Sequence, residues 1–240
     1  MSCQSSNGLQ IGGGPVTTFS SISYVAENRC TRIEPNQDLK EVYPLLGCAL
    51  STSHGAIHRE SMVCKGERIL IIGLGGLGTA LGFWLSMIND IEVVVLDLHP
   101  EKKEFADEFE LSFHSDRSKL DVGEPFDQIF ETTGVIGNVE LAFDLVGKGG
   151  TINLIGQVPH SRDVRFKNFL KMYDGVKIIS SSGGLFSPDE DLGILHAKLV
   201  NNLESAKRLV SSVIRLDQIN EGFQMMKAPT SRRIIIDFQG

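Results

Sequence analysis

The chain has 240 residues, of which 41% are hydrophobic and 22% charged, values typical of a globular protein able to bury a core. Its net charge of −7 at pH 7 argues against nonspecific binding to nucleic acid. No apolar run is long enough to cross a membrane, and the first residues lack the basic and apolar regions of a signal peptide. We therefore expect a cytoplasmic protein without a nucleic-acid or membrane partner.

The first part of the chain shows only weak patterns. Residues 1–15 are rich in serine, glycine and asparagine, which predicts a flexible N-terminal segment. Residues 18–26 alternate loosely in polarity, which favours a strand. Residues 39–42 are interpreted as one helical turn that ends near Pro44, and residues 45–62 as a helix that enters the main domain.

A strand, a glycine-rich turn and a helix are predicted next. Residues 69–72 form a continuous apolar run, typical of a strand buried on both faces of a parallel sheet. The residues that follow fit G-x-G-x-x-G at Gly73, Gly75 and Gly78. In such a unit the first glycine allows a tight turn and the second lets the backbone approach a pyrophosphate. The third lets the helix pack closely on the strand.

The residues around this turn favour a dinucleotide site. Gly76 and Leu77 open a helix whose free N–H groups and partial positive charge would face the phosphates. A second apolar strand, Glu92–Leu96, ends at Asp97, nineteen residues past Gly78, where an acidic residue for the adenosine ribose is expected. Two alternatives stay open. One is an α/β turn without a ligand, and the other is a methyltransferase, which also places a glycine-rich turn before an acidic residue.

Strands and helices continue to alternate along the rest of the chain. Further strands are predicted at residues 126–131, 151–155, 176–179 and 233–238. Further helices are predicted at residues 100–111, 138–146, 168–173, 188–201 and 216–226, with residues 113–122 unassigned. The alternation implies an α/β fold with a doubly wound parallel sheet over residues 45–210. Residues 16–44 and 211–240 are too short to form a domain unless they pair with each other or with something absent.

Seven motifs follow one another along the chain. They are GPVTTF at residues 14–19, LLGCALSTSHGAI at 45–57, KGERILIIGLGGLG at 65–78, EKKEFA at 101–106, ETTG at 131–134, GKGGTINLIG at 147–156 and SRRIIIDF at 231–238. In order and spacing they resemble the cofactor-binding half of the medium-chain dehydrogenases, in particular the zinc-dependent alcohol and polyol dehydrogenases. The resemblance covers nearly the whole chain after residue 14.

The resemblance implies a Rossmann fold that binds NAD(H). In the intact family, a hydride passes between the nicotinamide and an alcohol carbon while zinc polarises the oxygen. The family's GroES-like catalytic domain is not matched, and residues 16–44 and 211–240 resemble its parts near the crossover points. We therefore expect a truncated chain or half of a split enzyme, which would act on a small alcohol or polyol only with the missing half. Pairing of edge strands within residues 176–187 would make it a homodimer, as family members are.

The resemblance also implies roles for individual residues. Thr52 matches a residue that packs on the nicotinamide, Asp97 the carboxylate that binds the adenosine ribose, and Lys102 a nearby ribose contact. Arg233 matches a pyrophosphate-binding arginine, a task that suits its forked guanidinium. The alternative is a surface cation, because neighbouring Arg232 could shift the register. The matching turns after two later strands add Thr133, Gly134 and Gly156 to the cofactor-binding set.

A zinc site is not expected in this chain, although the intact family has one. Cys48 matches the family's third zinc ligand, but one thiolate cannot hold a metal that takes about four ligands. The other cysteines, Cys3, Cys30 and Cys64, stand far apart and form no C-x-x-C motif. Neither a structural zinc site nor a disulfide framework is therefore predicted.

Two further residue pairs match known motifs only in part. His54 and His58 stand at i and i+4 of a predicted helix, but no carboxylate lies between them as in H-E-x-x-H. Two partly solvated histidines are favoured over a metal site. Tyr173 and Lys177 fit the Tyr-x-x-x-Lys of short-chain dehydrogenases, but Gly175 between them favours a turn rather than the helix that this pair requires.

An NAD-dependent oxidoreductase is favoured over two other classes. These are a non-catalytic nucleotide-binding or scaffold protein and a zinc-independent reductase of the quinone type, whose members commonly use NADP. Asp97 predicts a preference for NAD(H), since two unit charges about 4 Å apart cost about 4 kcal/mol at an effective dielectric near 20. No arginine follows at Leu98 or His99 to offset a phosphate, and Lys102 and Lys103 are the only cations nearby in sequence.

Overall fold

The computed structural model describes residues 2–4, 10–12, 21–120 and 124–238. Near the N-terminus, strands β1 (Ser2–Gln4) and β2 (Gln10–Gly12) form an antiparallel pair. The rest of the segment predicted to be flexible lies outside the described residues, as do residues 18–20 of the predicted strand. Residues 21–26 form bends and loop, so the strand prediction is wrong there. They are exposed, so they have no buried face of the kind that stabilises a strand in a sheet.

Six parallel strands form the central sheet. They are β3 (Arg68–Ile72), β4 (Glu92–Leu96), β5 (Ser112–His114), β6 (Phe126–Glu131), β7 (Val146–Leu154) and β8 (Lys177–Ser180). The spatial order is β5-β4-β3-β6-β7-β8, so the chain reverses its direction of strand addition between β3 and β6. This order confirms the predicted doubly wound Rossmann fold. Residues 69–72 of β3 are almost fully buried, as the apolar run predicts for a central strand.

Helices connect these strands and cover both faces of the sheet. The α-helices are α1 (Ala49–Gly55), α2 (Gly76–Leu85), α3 (Lys103–Asp107), α4 (Ile136–Leu145), α5 (Pro188–Asn201), α6 (Leu203–Lys207) and α7 (Ile219–Met225). Shorter 3-10 helices span Glu27–Arg29, Gln37–Leu39, Tyr43–Gly47, Pro100–Lys102, Arg117–Lys119, Phe169–Asp174, Gly183–Leu185 and Leu216–Gln218. A π-helical segment, Ala56–Glu60, continues α1. No helix in the described ranges is long and apolar enough to span a membrane.

Successive residues of β3 supply two apolar cores, one on each face of the sheet. Ile71 packs in one core with Trp84 of α2 and Leu195 of α5. Its neighbour Ile72 packs in the other core with Phe143 of α4. Because side chains alternate between the two faces along a strand, helices pack on both faces of the sheet. The carboxyl ends of the strands remain as the edge open to a ligand.

The helix before β5, and β5 itself, differ from the predicted elements. The helix predicted over residues 100–111 ends at Asp107, and Glu110, with φ 57°, turns the chain into β5. Strand β5 overlaps residues 113–122, for which the sequence predicts no element. It is short and only partly buried, and it pairs with β4 alone, so it has little apolar periodicity to reveal it.

The last part of the chain forms a second small sheet. Strand β9 (Val210–Arg215) was not predicted, and it pairs in parallel with β10 (Arg233–Asp237). The helix predicted over residues 216–226 is present as a 3-10 turn followed by α7. The two strands of this last part of the chain thus pair with each other, an arrangement that the sequence does not predict.

Candidate functional site

Two glycines of the G-x-G-x-x-G turn are required by the fold itself. Gly73 has a φ of 93°, and a Cβ atom there would lie 2.5 Å from the Cγ2 of Thr133. A Cβ atom at Gly78 would lie 1.9 Å from the carbonyl oxygen of Gly73, so α2 crosses directly against the end of β3. These residues make the turn tight and bring the first turn of α2, with its unpaired N–H groups, to the edge of the sheet.

The other two glycines of the turn face open space and an arginine. A Cβ atom at Gly75 would meet nothing within 4 Å, so nothing in the described part of the chain requires glycine at this position. At Gly76 a Cβ atom would lie 2.3 Å from the Nε of Arg233. The guanidinium of Arg233 therefore lies directly on the glycine-rich turn.

The side chains of Arg233 and Arg232 have different neighbours. The structure therefore shows which of the two adjacent arginines lies on the glycine turn. Arg232 donates to both carboxylate oxygens of Glu108, at 2.6 and 2.8 Å, and lies 3.5 Å above the ring of Phe105. The Nε of Arg233 is buried and has no hydrogen-bond partner among the described residues. Burial lowers the pKa of Arg233, while nearby Cys48 acts in the opposite direction. A buried guanidinium with an unused donor is suited to receive an anion.

Asp97 lies at the end of β4 and joins the glycine turn to the next helix. Its Oδ2 accepts the N–H of Leu74 at 2.7 Å and the ammonium of Lys102 at 2.8 Å. Its Oδ1 accepts the N–H of His99 at 3.0 Å. The Asp97 and Lys102 side chains are only 8% and 11% exposed, so the two charges form a largely buried ion pair. The carboxylate at the predicted position thus already has three donors.

A cavity of about 500 Å³ opens at the carboxyl ends of β3, β4 and β6, beside the point where the strand order reverses. Gly73, Asp97, Lys102 and Thr133 line it, so four of the predicted cofactor residues border one space. This is the position at which doubly wound sheets bind their ligands. The cavity is also lined by residues that the sequence did not indicate, namely Leu98, His99, Ser115, Asp116, Arg117, Val135, Asn138 and Leu141.

The turns after β6 and β7 form the neighbouring wall. The buried carboxylate of Glu131 accepts the N–H groups of Thr133, at 2.8 Å, and Gly134, at 3.0 Å, and also the Thr133 hydroxyl. A Cβ atom at Gly156 would lie 2.1 Å from the nitrogen of Gly134, so the two turns touch. Glu131 orders this wall, and sequence reasoning missed it. Its signal was an acidic residue at the end of a strand, immediately before Thr-Thr-Gly.

Thr52 and Cys48 lie near the start of α1. The carbonyl oxygen of Thr52 would be 2.3 Å from a Cβ atom at Gly184, so α1 packs against the loop after β8. The Cys48 thiol is exposed and unpaired. No group of three or more His, Cys, Asp or Glu side chains in the described ranges could hold a metal ion. The described residues therefore do not fit the zinc site of the family, and no chemical step of this chain is assigned to zinc.

His54 and His58 form a close pair, but the prediction of partial solvation is wrong for His54. It is 6% exposed, because α1 packs on α2 and brings it edge-on to Trp84, with 5.3 Å between the ring centroids. The two imidazole centroids are 4.3 Å apart. Both ring nitrogens of His54 and the Nε2 of His58 are buried without a partner among the described residues. Burial lowers the pKa of His54 to about 4, and the nearby charges of His58, Lys198 and Arg59 act in the same direction. Asp191 acts in the opposite direction.

The stability of the protein should fall as the pH drops from about 6.5 towards 4. His54 in the unfolded chain takes up a proton near pH 6.5, whereas the native protein takes it up only near pH 4. Between these values the unfolded state binds more protons, so the free energy of unfolding decreases by up to about 3 kcal/mol. Urea unfolding of wild type and His54→Gln across this range measures the effect. The variant should show a flatter decrease, while His160→Gln, at an exposed position, should behave as wild type. Equal slopes in wild type and His54→Gln would contradict the prediction.

The chain is similar in sequence to curated alcohol dehydrogenases. It is 26% identical over 235 residues to the S-(hydroxymethyl)glutathione dehydrogenase of Photobacterium damsela subsp. piscicida, a match that covers 92% of this chain and 63% of the relative. It is 27% identical over 235 residues to the class-3 alcohol dehydrogenase of Drosophila melanogaster, with 92% and 62% covered. Among solved structures, the benzyl alcohol dehydrogenase of Acinetobacter calcoaceticus has a TM-score of 0.76 at 19% identity, over 85% of this chain and 59% of that one. No protein-family model matches the chain.

The strand order and the glycine turn at the carboxyl ends of the strands define a Rossmann-type α/β domain. The sequence relatives are more specific than the fold. They are alcohol dehydrogenases and S-(hydroxymethyl)glutathione dehydrogenases, which confirms the resemblance carried by the motifs of this chain. The chain spans less than two thirds of the length of the curated relatives that it matches.

Proposed function

We propose that the chain is the NAD(H)-binding part of an alcohol dehydrogenase-like oxidoreductase. The observation that carries the proposal is the arrangement around the glycine turn. The open side of Gly75 and the unpartnered Nε of Arg233 lie on the same turn, next to the cavity that Asp97 borders. A bound nicotinamide would accept or release a hydride. The residues of this chain bind and orient the cofactor.

Each part of the cofactor has a matching set of groups. The backbone N–H groups of residues 75–78 and the guanidinium of Arg233 would hold the pyrophosphate, since both present donors at the start of α2. Asp97 and Lys102 would contact the adenosine ribose in the cavity. Thr133, Gly134 and Gly156 would form the wall beside the cofactor, and Thr52 would pack on the nicotinamide.

We further propose the domain division suggested by the motifs. Residues 45–210 form the cofactor-binding domain, 16–44 and 211–240 belong with the catalytic domain of the family, and 1–15 are a flexible segment. A small alcohol or polyol would be the substrate when that catalytic domain is supplied. We also propose a cytoplasmic homodimer without nucleic-acid or membrane partners. The position of β8 at the edge of the sheet supports a dimer, because its outer side pairs with no other strand among the described residues.

NADH should bind saturably to the chain, and Arg233→Ala should weaken the binding roughly ten- to a hundredfold. A hydrogen bond to a charged group contributes about 1.5–3 kcal/mol, and about 1.4 kcal/mol corresponds to a factor of ten. The measurement is a titration that follows nicotinamide fluorescence. Arg232→Ala is the matched control, because this arginine pairs with Glu108 and not with the glycine turn. The control should lower stability but keep the NADH affinity. Absence of saturable binding at millimolar NADH would contradict the proposed function.

A further inference from the structure

The cavity at the carboxyl ends of β3, β4 and β6 is also bordered by a cation that follows β5, away in sequence from the predicted ribose contacts. Ser115, Asp116 and Arg117 follow β5 and line the same cavity as Asp97 and Lys102. We propose that Arg117 is a second cofactor-selecting residue, which binds the 2′-phosphate of NADPH and so lets the site accept NADPH beside NADH. This inference rests on the proposed binding of a nicotinamide dinucleotide.

Asp97 is a weaker barrier to a phosphate than an isolated carboxylate would be. It accepts two backbone N–H groups and the ammonium of Lys102. The adjacent positive charge compensates much of the repulsion that a 2′-phosphate would meet, because the two opposite charges stand only 2.8 Å apart. Lys103, which the sequence also placed nearby, instead pairs with Asp107 at 2.7 Å. Asp97 alone therefore discriminates only partly between NADH and NADPH.

Arg117 is the cation at this wall that is available to a ligand. It is exposed, and its guanidinium has no hydrogen-bond or ion-pair partner within the described ranges. The adjacent acid, Asp116, is occupied as the cap of the following 3-10 helix, where it accepts the N–H of Ser118 at 2.9 Å. That hydrogen bond, with the neighbouring cations Lys119 and Arg117, lowers the pKa of Asp116.

The surroundings of Arg117 leave room for a phosphate. Arg117 also lines a neighbouring cavity of about 330 Å³, together with Arg165 and Lys167. Glu140, an acid of that cavity, already accepts the backbone N–H of Arg165 at 3.0 Å. A phosphate on the adenosine ribose could therefore receive the forked donors of Arg117 at the border of the two cavities, in the bidentate geometry that arginine favours.

The test compares NADH and NADPH affinities of wild type, Arg117→Ala, Arg117→Lys and Lys119→Ala by fluorescence titration. Lys119 is the matched control, because it lies on the same 3-10 helix and is exposed but borders neither cavity. Arg117→Ala should weaken NADPH binding about tenfold and change NADH binding less than about twofold. Arg117→Lys should keep part of the NADPH affinity, and Lys119→Ala should behave as wild type.

Salt provides a second measurement. Added salt should weaken NADPH binding more steeply in wild type than in Arg117→Ala, because an exposed contact between a guanidinium and a phosphate is screened. Saturable NADH binding with an unchanged NADPH affinity in Arg117→Ala would overturn the role of Arg117 and leave the proposed function standing. Equal losses for both cofactors, or the same loss in Lys119→Ala, would also overturn it. Failure of wild type to bind either cofactor would overturn the proposed function itself.

Discussion

Replacement of Gly78 by alanine should strongly destabilise the protein. The new Cβ atom would lie 1.9 Å from the carbonyl oxygen of Gly73, and the obstacle is backbone, which cannot rotate away as a side chain can. Helix α2 would have to move off β3 and disturb the core around Trp84. Overpacking of a core costs about 1–3 kcal/mol and more when backbone must shift, against a total stability of about 5–15 kcal/mol. Urea unfolding and thermal melts of the variant measure the loss.

The same change at Gly75 should leave the fold intact and weaken cofactor binding. Its Cβ atom would meet nothing within 4 Å in the described part of the chain, so the unfolding free energy should stay close to that of wild type. In the complex, however, the methyl group would occupy the space where a pyrophosphate approaches the backbone. We expect a loss of NADH affinity of at least about tenfold, equivalent to about 1.4 kcal/mol.

A third glycine provides the control for both variants. Gly193 lies inside α5, away from the cavity, and a Cβ atom there would also meet nothing within 4 Å. Gly193→Ala should bind NADH as wild type does and gain up to about 1 kcal/mol of stability, because alanine favours a helix. Wild-type stability of Gly78→Ala would refute the packing argument. Wild-type affinity of Gly75→Ala would refute the assignment of the pyrophosphate site.

Asp97→Asn should reduce the affinity for NADH about tenfold and narrow the difference between NADH and NADPH. The amide keeps the shape of the carboxylate but loses its charge, and one of its ends can no longer accept hydrogen bonds from the ribose. It also leaves Lys102, with a side chain 11% exposed, without its anion. Breaking a buried ion pair costs about 3–5 kcal/mol, so the variant should be less stable as well. Titration with both reduced cofactors and urea unfolding separate these effects.

The double variant Asp97→Asn/Lys102→Gln distinguishes recognition from stability. Without the uncompensated ammonium, the unfolding free energy should recover most of its loss, because two neutral side chains then share the site. The altered cofactor preference should remain, since the carboxylate is still absent. If the double variant recovers the wild-type ratio of NADH to NADPH affinities, or if Asp97→Asn leaves that ratio unchanged, Asp97 is not the residue that discriminates between the cofactors.

The elements predicted best are those whose information is local. Strand β3 and helix α5 have the predicted bounds within one residue, because a continuous apolar run and a proline with an acidic first turn mark them directly. Two of the elements that the sequence does not predict, β5 and β9, are partly exposed strands with a single neighbour each. They exist through pairing with a strand distant in sequence, which no local pattern reports.

The residues of the candidate site also divide into those that local sequence predicts and those that it does not. The spacing of Gly73, Gly75, Gly78 and Asp97 could be predicted, because turn geometry and strand length relate these residues within one βαβ unit. Arg233 came from the resemblance alone. Its orientation towards the turn, and that of Arg232 towards Glu108, depend on where the separate sheet of β9 and β10 packs beside the glycine turn.

The fold class, the position of the glycine turn and the acidic residue at the end of β4 could be predicted from the chain alone, since these follow from local periodicity and the conformational needs of glycine. The assembled fold, by contrast, sets the charge environment of the site. It paired Asp97 with Lys102, turned Lys103 away to Asp107, and brought Arg117 to the same cavity from beyond β5. Ion pairing and desolvation depend on distances in space, and residues far apart in the chain acquire those distances only when the sheet and its helices assemble.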